Sequence, residues 1–68
     1  MNMRKLVGGN VKRIRLKKGM TQEELADSSG FSQQYISGLE NGLRNPTVVS
    51  VYEIAEALGV NYLDLLRP

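Results

Sequence analysis

Three times in this chain an apolar residue precedes a capping residue, and another apolar residue follows the cap by four positions: Met20, Thr21, Leu25; Phe31, Ser32, Ile36; Val60, Asn61, Leu65. Each cap offers a side-chain oxygen to an unpaired amide of a first helical turn, while the apolar pair clips the incoming chain onto the helix. Thr21 with Glu24 completes a capping box, and Thr47, after Pro46 and four residues before Val51, is a weaker form of the same signal. Gly19, Gly30, Gly42 and Gly59 stand where helices would close in a left-handed residue. These starts and stops predict five helices, near residues 5–18, 22–29, 33–41, 48–58 and 62–66. Apolar spacing supports them, with Val7, Val11 and Ile14 in the first and Val51, Ile54, Ala55 and Leu58 in the fourth. The one β-branched cluster, Val48, Val49 and Val51, lies inside a pattern that continues as helix, so no strand is expected and the fold class is all-α.

Sixty-eight residues allow one compact domain, because so short a chain buries only about 60% of its unfolded surface and cannot divide its core. With no cysteine, neither a disulfide nor a thiolate metal site can supplement that core. Its hydrophobic fraction of 41% must act through packed helices or oligomerisation. No apolar run approaches the roughly 18 residues of a membrane span, and no apolar stretch follows the basic N-terminus, so a soluble, cytoplasmic protein is expected. Histidine is absent as well, which removes the commonest general bases and metal ligands along with the thiol nucleophiles. The inventory thus speaks against an enzyme and leads to no expected metal, cofactor or small-molecule ligand.

The net charge of +2 conceals a strong asymmetry: Arg4, Lys5, Lys12, Arg13, Arg15, Lys17 and Lys18 all precede Gly19 with no acid among them. Such a segment is either a footprint for phosphate or a solvated helix face. Gly8 and Gly9 cost the first helix about 1 kcal/mol each relative to alanine, which predicts fraying and a mobile basic arm over residues 1–6.

The segment Gln22–Asn41, QEELADSSGFSQQYISGLEN, places two short helices around a tight turn. Ala26 is small where the helices must approach, Gly30 supplies the turn, and Leu25, Ile36 and Leu39 fill the angle between them.

At these residues the chain resembles the helix-turn-helix family of phage Cro and cI-type (XRE-like) repressors. The likeness rests on Arg15, MTQEELA (Met20–Ala26), YISGLENGLRNPT (Tyr35–Thr47), ALGV (Ala57–Val60) and the terminal Leu65 and Leu66. It implies a compact five-helix, lambda-repressor-like domain that binds double-stranded operator DNA as a homodimer, more often as a repressor. KRIRLKKGMTQEELA together with YISGLENGLRNPT is also similar to controller proteins of restriction-modification systems. Antitoxins share the fold, so a protein-interaction module with weak DNA binding is the rival reading. The basic first segment and the glutamines argue against that rival.

The resemblance lays the third helix in the major groove, with Gln33 and Gln34 meeting base edges. A glutamine amide can bond adenine at both N6 and N7; otherwise the two are simply exposed helix residues. Ser37 and Gly38 lie one turn further on the same face. Gly38 either permits close approach to a thymine methyl or sugar or relieves crowding within the protein. Phosphate contacts are expected from Gln22, Ser32, Tyr35, Asn41, Arg44 and Asn45, although Asn41 and Asn45 also suit turns. Arg15 and Glu40 are implied as a structural ion pair. The short last helix carries more apolar surface than one face can bury, which points to a dimer interface of Val60, Tyr62, Leu63 and Leu66.

Overall fold

A computed structural model describes residues 2–68, and Met1, part of the expected arm, lies outside them. The chain forms α1 (Met3–Lys17), α2 (Gln22–Ser29), α3 (Gln33–Glu40) and α4 (Val48–Leu58), then a 3₁₀ turn over Tyr62–Leu65. No strand occurs among the described residues. No helix there is long and apolar enough to cross a membrane.

The capping chemistry explains the boundaries. Thr21 Oγ1 accepts from Glu24 N at 3.0 Å while Glu24 Oε1 accepts from Thr21 N at 2.8 Å, closing the capping box of α2. Ser32 opens α3 and Thr47 opens α4 by accepting the amides of Tyr35 and Ser50. Gly30, at φ 81°, ends α2 in the left-handed region, where any other L-residue would be strained. The turn between α2 and α3 is thereby fixed.

Two expectations need correction. The fifth helix is not an α-helix: Asp64 N donates to Asn61 O at 2.9 Å and Leu66 N to Leu63 O at 3.0 Å, the bonding of a single tight turn. Four residues cannot repay helix nucleation, and Asn10 of α1 takes the end of the segment, its Nδ2 donating to the carbonyls of Leu65 (3.0 Å) and Arg67 (2.7 Å). Nor do residues 3–6 form an arm. Asn2 Oδ1 accepts from Lys5 N at 3.2 Å, so α1 starts two residues earlier than the apolar pattern suggested. The helix runs through both glycines, and Gly8 is buried so close to α3 that a Cβ there would overlap the Leu39 carbonyl oxygen. Gly8 is thus the point where α1 meets α3.

Val11, Leu25, Ile36, Leu39, Ile54, Leu58 and Leu65 are fully buried, so every element contributes to one core. At about 1.5–3 kcal/mol for each large aliphatic removed from water, this cluster is the main stabilising term. α3 is held from behind by α1 and α2, and the 3₁₀ turn rests on α1 and α4. One face of α3 remains free.

Candidate nucleic-acid interface

At about 100° per residue, Ile36, Leu39 and Glu40 point from α3 into the protein, whereas Gln33, Ser37, Asn41, Gln34 and Gly38 occupy an outward arc of about 140°. The first three are buried. Gln33 and Gln34 are exposed at the first turn, while Ser37 and Gly38 are half-buried. Gln22, Gln33, Gln34, Ser37, Gly38, Asn41, Leu43 and Arg44 line one shallow groove. Ser32, Tyr35 and Asn45 are not among the residues that line it, and Asn45 instead shares a second groove with Asn2, Met3, Arg4 and Gly42.

Behind this face is a buried ionic network. Arg15 Nε donates to Glu40 Oε2 at 2.7 Å and Arg15 Nη2 to Glu40 Oε1 at 2.9 Å, a bidentate pair joining α1 to the end of α3. The remaining terminal nitrogen, Nη1, donates to Met20 O at 2.8 Å, which ties the α1–α2 loop into the same arrangement. Hydrogen bonds to Glu40 raise the Arg15 pKa above its ordinary value; burial opposes the rise and Coulomb attraction assists it. Arg15 keeps its charge, and the bidentate pair ties the end of α3 to α1.

Gln22 is drawn into that network, since its Nε2 donates to Glu40 Oε1 at 3.1 Å. Its side-chain donor is committed inward. Of the first-turn backbone amides of α2, those of Gln22 and Glu23 remain available to an anion, because Thr21 caps only Glu24 N. Ser32 Oγ already accepts from Tyr35 N at 3.0 Å. Tyr35 is half-buried, its ring stacked on Phe31 at 4.6 Å between centroids.

Two features of the groove escaped the sequence reading. Leu43, 76% exposed, stands on the groove with its amide donating to Gly38 O at 2.8 Å. An isolated loop leucine carries no periodic signal to reveal this. Arg44 folds back over Gly38, where a Cβ would lie 3.1 Å from its Nε and 3.2 Å from its Cγ, and its guanidinium carbon lies 5.7 Å from the Tyr35 ring centroid. Of the two readings of Gly38, this contact favours relief of crowding within the protein.

The residues expected at a dimer interface divide. Val60 and Leu66 are half-buried against the chain's own core, whereas Tyr62 and Leu63 are 41% and 45% exposed. Tyr62 lies 6.3 Å from Tyr52 between ring centroids. Together with Val48 and Val49, these tyrosines line an almost wholly apolar groove. In the sequence Val48 and Val49 stand only inside a helical pattern and Tyr52 carries no signal of its own, yet the three are 81%, 66% and 51% exposed.

Residues 11–65 match the helix-turn-helix family HTH_3. The chain is 60% identical over all 68 of its residues, and across 88% of the relative, to the HTH-type transcriptional regulator y4dJ of Sinorhizobium fredii. It is 44% identical over 66 residues, 96% of this chain and 82% of the relative, to control protein C.BamHI of Bacillus amyloliquefaciens. Among solved structures, the restriction-modification controller protein C.Esp1396I, a tetramer in complex with its natural 35 base-pair operator, matches with a TM-score of 0.88. That match has 39% identity and covers 97% of this chain and 91% of the other. The chain belongs to the helix-turn-helix family of transcriptional regulators.

Proposed function

We propose that this regulator binds a palindromic operator as a homodimer, lays α3 in the major groove and represses transcription from that site. The observation that carries this reading is the outward arc of α3, which presents two exposed glutamine amides on a helix locked from behind by Arg15 and Glu40. Gln33 and Gln34 meet base edges at the start of the helix, with adenine matching the acceptor and donors of a glutamine amide. Gln22, through its backbone amide, and Ser32, Tyr35, Asn41 and Asn45 position the domain on phosphates around them. Arg44 supplies the one cation of segment 41–47. Ser37 and Gly38 shape the floor of the groove. A role on operator DNA fits a cytoplasmic protein.

Likeness to C.BamHI and C.Esp1396I favours a second form of the same reading, a controller of a restriction-modification operon. Repression and activation then depend on operator placement. A protein-interaction module with weak DNA binding remains the competing class. Selection of bound sequences from random duplex DNA separates them: an operator-binding regulator enriches a palindrome, and a chain that enriches no sequence is not one.

A further inference from the structure

We propose that Arg44 is a base-reading residue that takes the place of the side chain Gly38 lacks, with guanine as its base. The proposal rests on the operator-binding reading above and adds a specificity determinant to it.

Gly38 sits one helical turn after Gln34, on the arc of α3 that faces outward. A side chain there would point into the groove shared with Gln33 and Gln34. The position is not vacant. An ideal Cβ at residue 38 would be 3.1 Å from Arg44 Nε and 3.2 Å from its Cγ, so the arginine stem crosses the helix where such a side chain would begin. The loop supplies from outside what the helix omits.

The stem is also held in place. Leu43 N donates to Gly38 O at 2.8 Å, which fastens the residue before Arg44 directly to the helix. The Arg44 guanidinium lies 5.7 Å from the centroid of Tyr35, within the range of cation–π attraction, and Tyr35 is itself stacked on Phe31. An arginine that merely answers a phosphate needs no such support, because a mobile cation at the rim serves as well. A base reader does need it, since bidentate recognition requires the planar fork at a defined place and angle. Arg44 remains exposed, so its outward donors are free. On major-groove edges the partner that offers two acceptors to such a fork is guanine, through O6 and N7.

The test is selection from random duplex DNA with four full-length proteins: wild type, Arg44→Ala, Arg44→Lys and Gly38→Ala. The wild-type motif should contain a G·C pair in each half-site whose preference Arg44→Ala abolishes while the other positions persist. Affinity for the wild-type site should fall roughly 5- to 150-fold. Arg44→Lys should not restore the preference, because lysine keeps the charge but lacks the fork. Gly38→Ala should erase preference at that same pair by displacing the arginine stem, and thermal unfolding of this variant checks that its fold persists. If Arg44→Ala keeps the full motif, the proposal is overturned. It is equally overturned if the variant weakens all sequences alike, flattens the salt dependence and is rescued by lysine, as for a phosphate contact. A wild-type chain that selects nothing overturns the operator reading and this one with it.

Discussion

Gly8 of α1 lies so close to the Leu39 carbonyl oxygen of α3 that no Cβ fits between them. Helix propensity alone would make Gly8→Ala stabilising by about 1 kcal/mol. The obstacle is backbone rather than a yielding side chain, however, and overpacking of this kind costs about 1–3 kcal/mol. Gly8→Ala should therefore lower stability, whereas Gly9→Ala, with nothing within 4 Å of its Cβ, should raise it by roughly the propensity difference. Thermal unfolding of the two variants should move in opposite directions. A shared upward shift would show that α1 can back away from α3.

Arg15 and Glu40 are expected to matter more singly than together. Arg15→Met strands a buried carboxylate and Glu40→Leu strands a buried guanidinium, each at a cost of about 3–5 kcal/mol, while the double variant removes both charges and should lose less than either. Urea unfolding of the three proteins gives the comparison. A double variant less stable than both singles would show that neither substitution strands its partner and that the two side chains contribute separately.

Local chemistry decided what was legible in the sequence. Thr21 with Glu24, Ser32 and Gly30 each act within a few residues of themselves, so a linear reading could place the helix-turn-helix. Asn2 acts as locally as they do, but it precedes glycines whose low propensity pointed the other way, and only the α3 backbone packed on Gly8 shows why they are tolerated. The same difficulty hid Leu43 and the path of the Arg44 side chain across Gly38, both of which depend on a loop folding back over a helix. It also hid the interface candidates of α4: Val48, Val49 and Tyr52 fit a helical apolar pattern, and only the packed structure separates the side facing Val51 and Ile54 from the side left open.

Gln33→Ala should relax preference at one base pair per half-site and reduce affinity for the preferred operator by about 1–3 kcal/mol. The residue is exposed at the first turn of α3, so unfolding should change little. Base preference measured on single-substitution operators is the informative quantity. An unaltered profile would remove Gln33 from the reading set.

The basic residues of α1 should not contribute equally to salt dependence. Lys5 lies against Gly42, and Arg4 shares a groove with Asn45, which places both beside the loop that flanks the recognition face. Lys17 and Lys18 instead line a groove with Val60, Asp64 and Arg67. Each phosphate neutralised contributes about −0.9 to the slope of log affinity against log salt. Replacing Arg4 and Lys5 with glutamine should flatten that slope, and replacing Lys17 and Lys18 should leave it nearly unchanged. Equal slopes for the two double variants would show that the charge of α1 acts only as a diffuse field.

Dimerisation is expected through the open side of α4 and the 3₁₀ turn, with Val48, Val49, Tyr52, Tyr62 and Leu63 at its centre. The groove of Val48, Val49, Tyr52 and Tyr62 is almost wholly apolar, Leu63 beside Tyr62 in sequence is exposed as well, and a two-fold pairing would cover this surface with the same patch of a second copy. Val60 and Leu66 already pack on their own core, so they should contribute at the edge while supporting the turn from below. Function gives the pairing a reason: one α3 of eight residues reaches few base pairs, whereas two held about 34 Å apart meet successive major grooves on one side of the duplex. Tyr52→Glu and Leu63→Glu change exposed side chains, so each should retain helicity by circular dichroism while shifting sedimentation equilibrium from dimer to monomer at micromolar concentration. Operator affinity should then fall steeply, since each half-site must be bound independently. A wild-type chain that stays monomeric both free and on DNA would defeat this assignment, as would glutamate variants that sediment as stable dimers.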